Sequence, residues 1–318
     1  MLSMTIGNFD GVHRGHAALV AAARRAVGTT GTVVAVTFEP HPMVRLRPQS
    51  APPRLTRADV RRSLLMDAGC DDVIEMDPSP ELLALDPHAF IANLRRQLPF
   101  DVVVEGSDFR FGRQRAGSVE TLRELGARLG FTFVEVPPID IALNDRTLVC
   151  ASSSVIRWLV SQGRVRDAAA LLGRPYTMTG VSIPGDRRGR AIGFPTLNLG
   201  PTEQQLPMDG VYGGFARLPD GSSALAALSV GTKPTFGQSA RTCEAHLVDT
   251  HLPLDWYGAE MAFSFLTWIR EQRSFASLDG SEGLLERIRA DIREIRERLP
   301  PLRGAHVAAS TSSANITS

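Results

Sequence analysis

Lysine is almost missing from this chain of 318 residues: Lys233 is the single one among 35 basic side chains, and the rest are arginine. It is preceded by Thr232 and followed by Pro234, which excludes the P-loop, where lysine follows glycine and precedes serine or threonine. Net charge is nearly missing too. With 34 acidic residues the balance is +1, which excludes a broad basic coat for nucleic acid, though not a local patch. Cysteine is scarce: Cys70, Cys150 and Cys243 are odd in number and widely spaced, and fit neither a zinc site nor a disulfide framework. Three unrelated reduced thiols are expected. No apolar run approaches the roughly 18 residues that a membrane-spanning helix requires. The opening MLSMTIGNFDG lacks the basic stretch and apolar core of a secretory signal. These absences point to a cytoplasmic protein with neither a membrane nor a nucleic-acid partner.

What is present is a chain long enough for two domains at roughly 150 residues each, with the 43% hydrophobic content of a packed core. The first half alternates short β-branched runs with longer amphipathic ones. Strands are read at Thr5–Gly7, Val33–Phe38, Asp72–Met76, Asp101–Val104 and Phe131–Val136. Helices are read at Ala17–Val27, Arg57–Ala68, Pro87–Leu98 and Ser118–Leu129. Such alternation implies a parallel sheet with helices on both faces, whose ligands bind in the loops beyond the C-terminal strand ends. After Val149 two short helices are read, the second ending at Gly173 with Pro175 close behind. From Tyr176 to Trp268 short runs punctuated by glycine, proline and aspartate suggest an antiparallel barrel or sandwich. Leu285, Ile288, Ile292 and Ile295 give the helix from Leu284 to Leu299 one apolar face. The small, polar tail from Gly304 to Ser318 is expected to be disordered.

Two segments carry chemistry. Between the first strand and first helix runs Gly7-Asn8-Phe9-Asp10-Gly11-Val12-His13-Arg14-Gly15-His16. Its glycines let backbone N–H groups turn toward an anion at a helix N-terminus. His13 and His16, three residues apart, can point into one pocket and steady charge on a phosphate under attack. A tight turn with two exposed histidines is the plainer alternative. In the second half, Thr196 and Asn198 lie two apart on an extended segment and face one side. Their hydroxyl and amide oxygens can hold a hard cation such as Mg2+ beside phosphates. Glu244 and His246 likewise share a strand face; a carboxylate there could accept the proton of an attacking hydroxyl. On periodicity alone both are ordinary solvent-facing residues.

The first segment resembles the HxGH signature of adenylyltransferases, in the form used by prokaryotic bifunctional riboflavin kinase/FAD synthetases. Thr37-Phe38-Glu39-Pro40-His41-Pro42 is similar to that family's second segment. Gly106-Ser107-Asp108-Phe109-Arg110-Phe111-Gly112 resembles its flavin-side loop, and Ser152-Ser153-Ser154-Val155-Ile156-Arg157 its S-S-T-x-I-R motif, with Ser154 in place of threonine. Gly185 to Asn198, which contains Gly-Arg-x-x-Gly-Phe-Pro-Thr-x-Asn, resembles the riboflavin kinase module. So do Gly210-Val211-Tyr212, Gly231-Thr232-Lys233-Pro234-Thr235-Phe236 and Tyr257-Gly258, while Arg270 to Phe275 resembles the segment closing its flavin pocket. Pro184 and the stretch Gly280-Ser281-Glu282-Gly283 depart from the family pattern.

The resemblance implies a Rossmann-like nucleotidyltransferase domain over 1–173, a β-barrel riboflavin kinase domain over 174–303 and a tail over 304–318. It implies catalytic roles for His13, His16 and Glu244. Nucleotide contacts are implied for Gly7, Phe9, Gly11, Ser152, Ser153, Ser154, Arg157, Gly185, Gly189, Arg190 and Gly193. Flavin contacts are implied for Asp108, Phe109, Arg110, Arg273 and Phe275, and Mg2+ ligation for Thr196 and Asn198. The activity implied is ATP-dependent phosphorylation of riboflavin to FMN, then adenylylation of FMN to FAD with release of pyrophosphate. Loss of one activity, or a non-catalytic flavin- or nucleotide-binding regulator, are the alternatives. The partners expected are these small molecules, and a homo-oligomer stays open.

Overall fold

The computed structural model describes residues 1–184, 189, 192–233, 238–250, 256–273, 280 and 283–299. Gly185, Arg190, Phe275 and the 304–318 tail, all singled out above, lie outside the described residues. The chain divides into two compact units, one of Met1–Ala142 with Leu148–Ser153, the other of Leu143–Thr147 with the chain from Ser154 onward.

In the first unit the alternation of runs becomes β1 (Leu2–Ile6), α1 (Arg14–Val27), β2 (Thr32–Phe38), α2 (Pro42–Leu46), α3 (Ala58–Asp67), β3 (Asp72–Met76), α4 (Pro80–Ala84), α5 (Pro87–Gln97), β4 (Val102–Gly106), α6 (Val119–Leu129) and β5 (Thr132–Val136). The five strands form one sheet in the order β3-β2-β1-β4-β5, with every pair parallel. β2 and β4 are apolar on both faces because both are covered. Val33, Ala35, Val102 and Val104 pack with Val20, Ala23 and Val27 of α1. Their alternates Val34, Val36 and Val103 pack with Phe90, Ile91 and Leu94 of α5 and Leu122 and Leu125 of α6. Burying each such side chain contributes roughly 1.5–3 kcal/mol. The sheet order reverses direction between β1 and β4, and a ligand crevice opens at the C-terminal ends of two such strands. A hairpin of β6 (Asp140–Ala142) and β7 (Leu148–Cys150), which the sequence reading did not resolve, follows the sheet.

In the second unit α7 (Ser153–Ser161) and α8 (Val165–Leu172) precede six strands: β8 (Tyr176–Ile183), β9 (Leu197–Leu199), β10 (Gly210–Arg217), β11 (Ser223–Lys233), β12 (Gln238–Leu247) and β13 (Glu260–Glu271). They close into a barrel in the order β10-β11-β12-β9-β8-β13, all pairs antiparallel. Met178, Leu197, Leu228, Ala245, Phe263 and Phe265 are almost wholly buried. The last helix, α9 (Leu284–Arg298), buries Ile292 and Ile295. It is tied to β13 by a two-pronged ion pair, Arg270 Nε to Asp291 Oδ1 at 2.9 Å and Arg270 Nη2 to Oδ2 at 2.7 Å. The expected parallel α/β half, antiparallel barrel half and terminal helix are thus all present.

All three cysteines are free; Cys70 and Cys243 are buried and Cys150 is exposed. Burial pushes the Cys70 thiol up to about 12 and raises that of Cys243 further. A thiol reagent at pH 8 should therefore titrate one group in the native protein, at Cys150, and three after denaturation. Fast reaction of a second thiol in native protein would contradict this packing.

Candidate active sites

The first site is built on the loop between β1 and α1. Asp10 is the residue that shapes it. Its carboxylate is buried and accepts from the amides of Leu55 (3.0 and 2.9 Å) and Thr56 (3.1 Å), and from the Thr56 hydroxyl at 3.3 Å. The same hydroxyl accepts from the Gly11 amide at 3.2 Å. Held in this way, the loop adopts left-handed backbone at Phe9 (φ 47°), Gly11 (φ 84°) and Val12 (φ 39°). For a β-branched residue such as Val12 that is a strained conformation, of the kind found where function requires it.

The strained turn delivers the two histidines. His13 caps α1, and its amide donates to His16 Nδ1 at 3.3 Å. The imidazoles stack with centroids 3.6 Å apart and planes at 22°, and Phe9 meets His16 edge-on at 5.0 Å. His13 is only 5% exposed, so the alternative of two exposed histidines on a plain turn does not describe this loop. Gly15 makes the arrangement fit: a Cβ there would come within 3.0 Å of the His13 ring and 3.2 Å of the Ala151 carbonyl.

Neighbouring loops converge on the same strand ends. The Ser153 hydroxyl donates to the Asp10 carbonyl at 2.8 Å, within the first unit. Ser152 directly precedes that helix, and Ser154 and Arg157 lie three apart along it, on one face. Beyond β4 a turn closed by the Phe109 amide on the Gly106 carbonyl, at 3.0 Å, exposes Asp108 and Arg110. Phe109 stacks on Phe111, with centroids 5.5 Å apart. Gly7, at the end of β1, donates its amide to the Val36 carbonyl.

Sequence reasoning missed three residues here. Glu39 is gripped by Arg54, through bonds of 2.9 and 2.5 Å, and by Arg61 at 3.0 Å; the Arg54 hydrogen bond leads in holding its carboxyl below the ordinary value. Arg61 is 4% exposed and also donates to the Asn8 carbonyl at 3.4 Å. Its signal was an arginine one turn before the buried Leu65 on the same helix face. Glu105 is 2% exposed at the end of β4, its signal a lone acid closing the run Val102-Val103-Val104.

The second site lies across β9 and β12. Asn198 and Glu244 are register partners on these strands. The Glu244 carboxylate accepts from the Thr196 hydroxyl at 3.3 Å on one oxygen and from the Thr242 hydroxyl at 3.3 Å on the other. The expected trio is therefore brought together, with Thr242 as a member not foreseen. His246, two residues on, shares a 2.9 Å hydrogen bond with the Pro195 carbonyl, and Phe194 lies edge-on to its ring at 5.3 Å. Burial lowers the affinity of His246 for a proton. Gly193 has φ 86°, and at Gly189 a Cβ would sit 2.3 Å from the Phe194 carbonyl oxygen, so this turn requires glycine. Arg273 is exposed just after β13. Hydroxyl, amide and a single carboxylate form a donor set of hard oxygens. That is too sparse for an all-protein cage and suited to a Mg2+ ion that keeps substrate phosphates and water as ligands. Among the described residues no cluster of three or more His, Cys, Asp or Glu offers an alternative metal site.

A strand–loop–helix site with paired histidines and a barrel site with a hydroxyl-bracketed carboxylate define a two-site transferase acting at phosphates. The sequence matches the FAD synthetase family over residues 1–148 and the riboflavin kinase family over 172–299. It is 33% identical to the bifunctional riboflavin kinase/FMN adenylyltransferase of Escherichia coli K12, over 92% of this chain and 91% of the relative. It is 32% identical to the protein of that name from Bacillus subtilis, over 92% and 90%. A crystal structure titled as a macrolide-efflux protein from Streptococcus pneumoniae superposes with a TM-score of 0.80 at 28% identity, covering 92% of this chain and 93% of that one. Among the described residues of the present chain no helix is long and apolar enough to cross a membrane. The chain belongs to the bifunctional riboflavin kinase/FMN adenylyltransferase family.

Replacing Asp10 tests the loop. Asp10→Ala strands the Leu55 and Thr56 amides, at about 1–3 kcal/mol for each buried group left unpaired. Hydrogen exchange at Leu55 and Thr56, read by mass spectrometry, should accelerate roughly tenfold or more. Peptides from the barrel should be unchanged. Wild-type protection at Leu55 in the variant would remove Asp10 as the organiser of this loop.

Proposed function

We propose that the barrel phosphorylates riboflavin to FMN with ATP, and that the N-terminal unit then transfers AMP from a second ATP to FMN, giving FAD and pyrophosphate. The observation that carries this reading is the coexistence in one chain of the stacked His13–His16 pair and the Thr196–Glu244–Thr242 cluster beside Asn198.

In the barrel, Glu244 takes the proton of the ribityl 5′-hydroxyl as its oxygen attacks the γ-phosphate; the bond to the β–γ bridging oxygen breaks and ADP leaves. The hydroxyls of Thr196 and Thr242 orient the two carboxylate oxygens, and His246 fixes the Phe194–Pro195 segment that presents Thr196. Magnesium would be held by the Thr196 hydroxyl and Asn198 amide oxygens with the ATP phosphates, where it would offset their negative charge. In the N-terminal unit, an FMN phosphate oxygen attacks the α-phosphate of ATP. His13 and His16, at the positive end of α1, stabilise the charge that builds on the α-phosphate and the leaving pyrophosphate.

Gly7, Phe9, Gly11, Ser152, Ser153, Ser154 and Arg157 surround this nucleotide, and Asp108, Phe109 and Arg110 the flavin. Gly189 and Gly193 shape the kinase nucleotide turn, and Arg273 lies on the flavin side of the barrel. We assign 1–173 to adenylylation and 174–303 to phosphorylation, with the reactions in the cytoplasm, where ATP and reduced thiols coexist.

The reading separates the two steps. With riboflavin and Mg-ATP, Glu244→Gln should lower FMN formation by roughly a hundredfold or more, yet still convert added FMN to FAD. His16→Ala should accumulate FMN and make little FAD. Chromatography of the flavins distinguishes these outcomes. Loss of both activities from either substitution, in protein with an unchanged circular dichroism spectrum, would overturn the separate-sites reading.

A further inference from the structure

Glu105 is a buried carboxyl that the scheme above does not use. It ends β4, where β4 and its neighbour β1 lead directly into the two loops of the adenylylation site. The ladder between these strands pairs Ser3 with Val102 and Met4 with Val103, and goes no further. Continued by two residues, the register would set Ile6 opposite Glu105. Amides of β1 face its two neighbours alternately: that of Gly7 reaches the Val36 carbonyl on β2 at 3.0 Å, so that of Ile6 faces β4. It finds no backbone carbonyl there. Instead it donates to Glu105 Oε1 at 2.5 Å, and the Thr5 hydroxyl donates to the same oxygen at 3.4 Å. A side chain has taken the place of the strand.

We propose that Glu105 is a positioning residue for nucleotidyl transfer: a carboxyl wedge that replaces the backbone partner of Ile6 and holds β1 and β4 apart, thereby setting the separation between the histidine loop and the Asp108–Arg110 turn. The inference rests on the adenylylation reading of this unit. A ladder zipped through to Ile6 would bring the Gly7 and Gly106 ends to the ordinary strand spacing of about 4.8 Å and close the crevice. The wedge prevents this and leaves the Ile6 amide satisfied.

Burial disfavours the charged form of the wedge. The charged groups facing it are few. Asp108 lies across the turn, and Glu135, its register partner on β5, is ion-paired with Arg123; β1 contributes only the neutral Thr5 and the Ile6 amide. Burial, reinforced by Asp108, therefore raises the Glu105 carboxyl well above the ordinary 4.5. A folded state that keeps a proton which the unfolded chain releases above 4.5 loses stability as pH rises from there toward the folded value.

The test uses the full chain with three substitutions. Glu105→Gln keeps the length and the acceptor oxygen without charge, so kcat/KM for FMN adenylylation should stay within about twofold of wild type. Its thermal midpoint should exceed that of wild type by a margin that grows between pH 5 and pH 8. Glu105→Asp keeps the acid but shortens its reach, and should lower kcat of adenylylation roughly tenfold with little change in KM. Glu105→Val removes the acceptor and should lower it roughly a hundredfold. Riboflavin phosphorylation by the barrel should be unaffected in all three, and reports folding of the chain.

Wild-type kcat in Glu105→Asp would overturn the wedge. So would a Glu105→Gln variant as impaired as Glu105→Val. A Gln-minus-wild-type midpoint difference that is flat with pH would overturn the uncharged acid. Should Glu105→Val fail to fold, the Asp and Gln arms carry the decision. Absence of FAD formation by wild type would instead overturn the adenylylation reading, and with it the positioning role of Glu105, while the pH-dependent midpoint would still report on the uncharged acid.

Discussion

The N-terminal site depends on one buried carboxylate. Asp10 is 6% exposed, and the Leu55 and Thr56 amides and the Thr56 hydroxyl donate to its carboxylate. Hydrogen bonds to a charged group contribute about 1.5–3 kcal/mol each, enough to offset left-handed backbone at Phe9 and Val12, which costs of order 1–3 kcal/mol per residue. Remove the carboxylate and the loop loses the bonds that tie it to residues 55 and 56. Keep it and the rest follows: Phe9 folds beneath Gly7, His16 packs edge-on against Phe9, and His13 stacks on His16. The Asp10 carbonyl then accepts the Ser153 hydroxyl at 2.8 Å.

On the proposed reading, the two halves handle phosphate in physically different ways. The N-terminal unit uses backbone, a glycine-bearing turn at a helix end, and places its histidines by strain. The barrel uses side chains at fixed register, with Asn198 opposite Glu244 and the Thr196 and Thr242 hydroxyls on the two carboxylate oxygens. Strand pairing sets those distances without strain, and the glycines at 189 and 193 are needed only where the chain turns. Near-neutral net charge suits both halves, since so many arginines are engaged internally: Arg54 and Arg61 with Glu39, Arg164 with Asp145 and Asp167, Arg270 with Asp291.

Local patterns were legible in the sequence because their causes are local. A β-branched run covered on both faces reads as a buried parallel strand, as at β2 and β4; β3 and β5 were placed within a residue or two by their alternation with helices, and β1 less closely. The Thr-x-Asn and Glu-x-His pairs were legible because period two places them on one strand face. What stayed hidden depends on partners far away in the chain. Nothing near Asp10 shows that residues 55 and 56 will supply its donors, and nothing near Glu39 shows that Arg54 and Arg61 will grip it. The β6–β7 hairpin was missed because three-residue strands are too short to carry a period.

Glu105 shows where local consistency breaks. Everything about β4 favours continued pairing with β1: three valines, a matching register and cover on both faces. A sheet that obeyed this local preference to its end would be more stable and would have no mouth. The site therefore needs an element that stops the ladder without exposing its amides. Water would satisfy Ile6 but would compete for the phosphates, and a larger apolar residue would leave the amide unpaired. An acid long enough to reach across, and buried where its charged form is disfavoured, meets both demands, because it accepts the hydrogen bond in place of a strand carbonyl. The same burial that makes a glutamate an unfavourable choice for a strand interior is what makes it serviceable at this strand end.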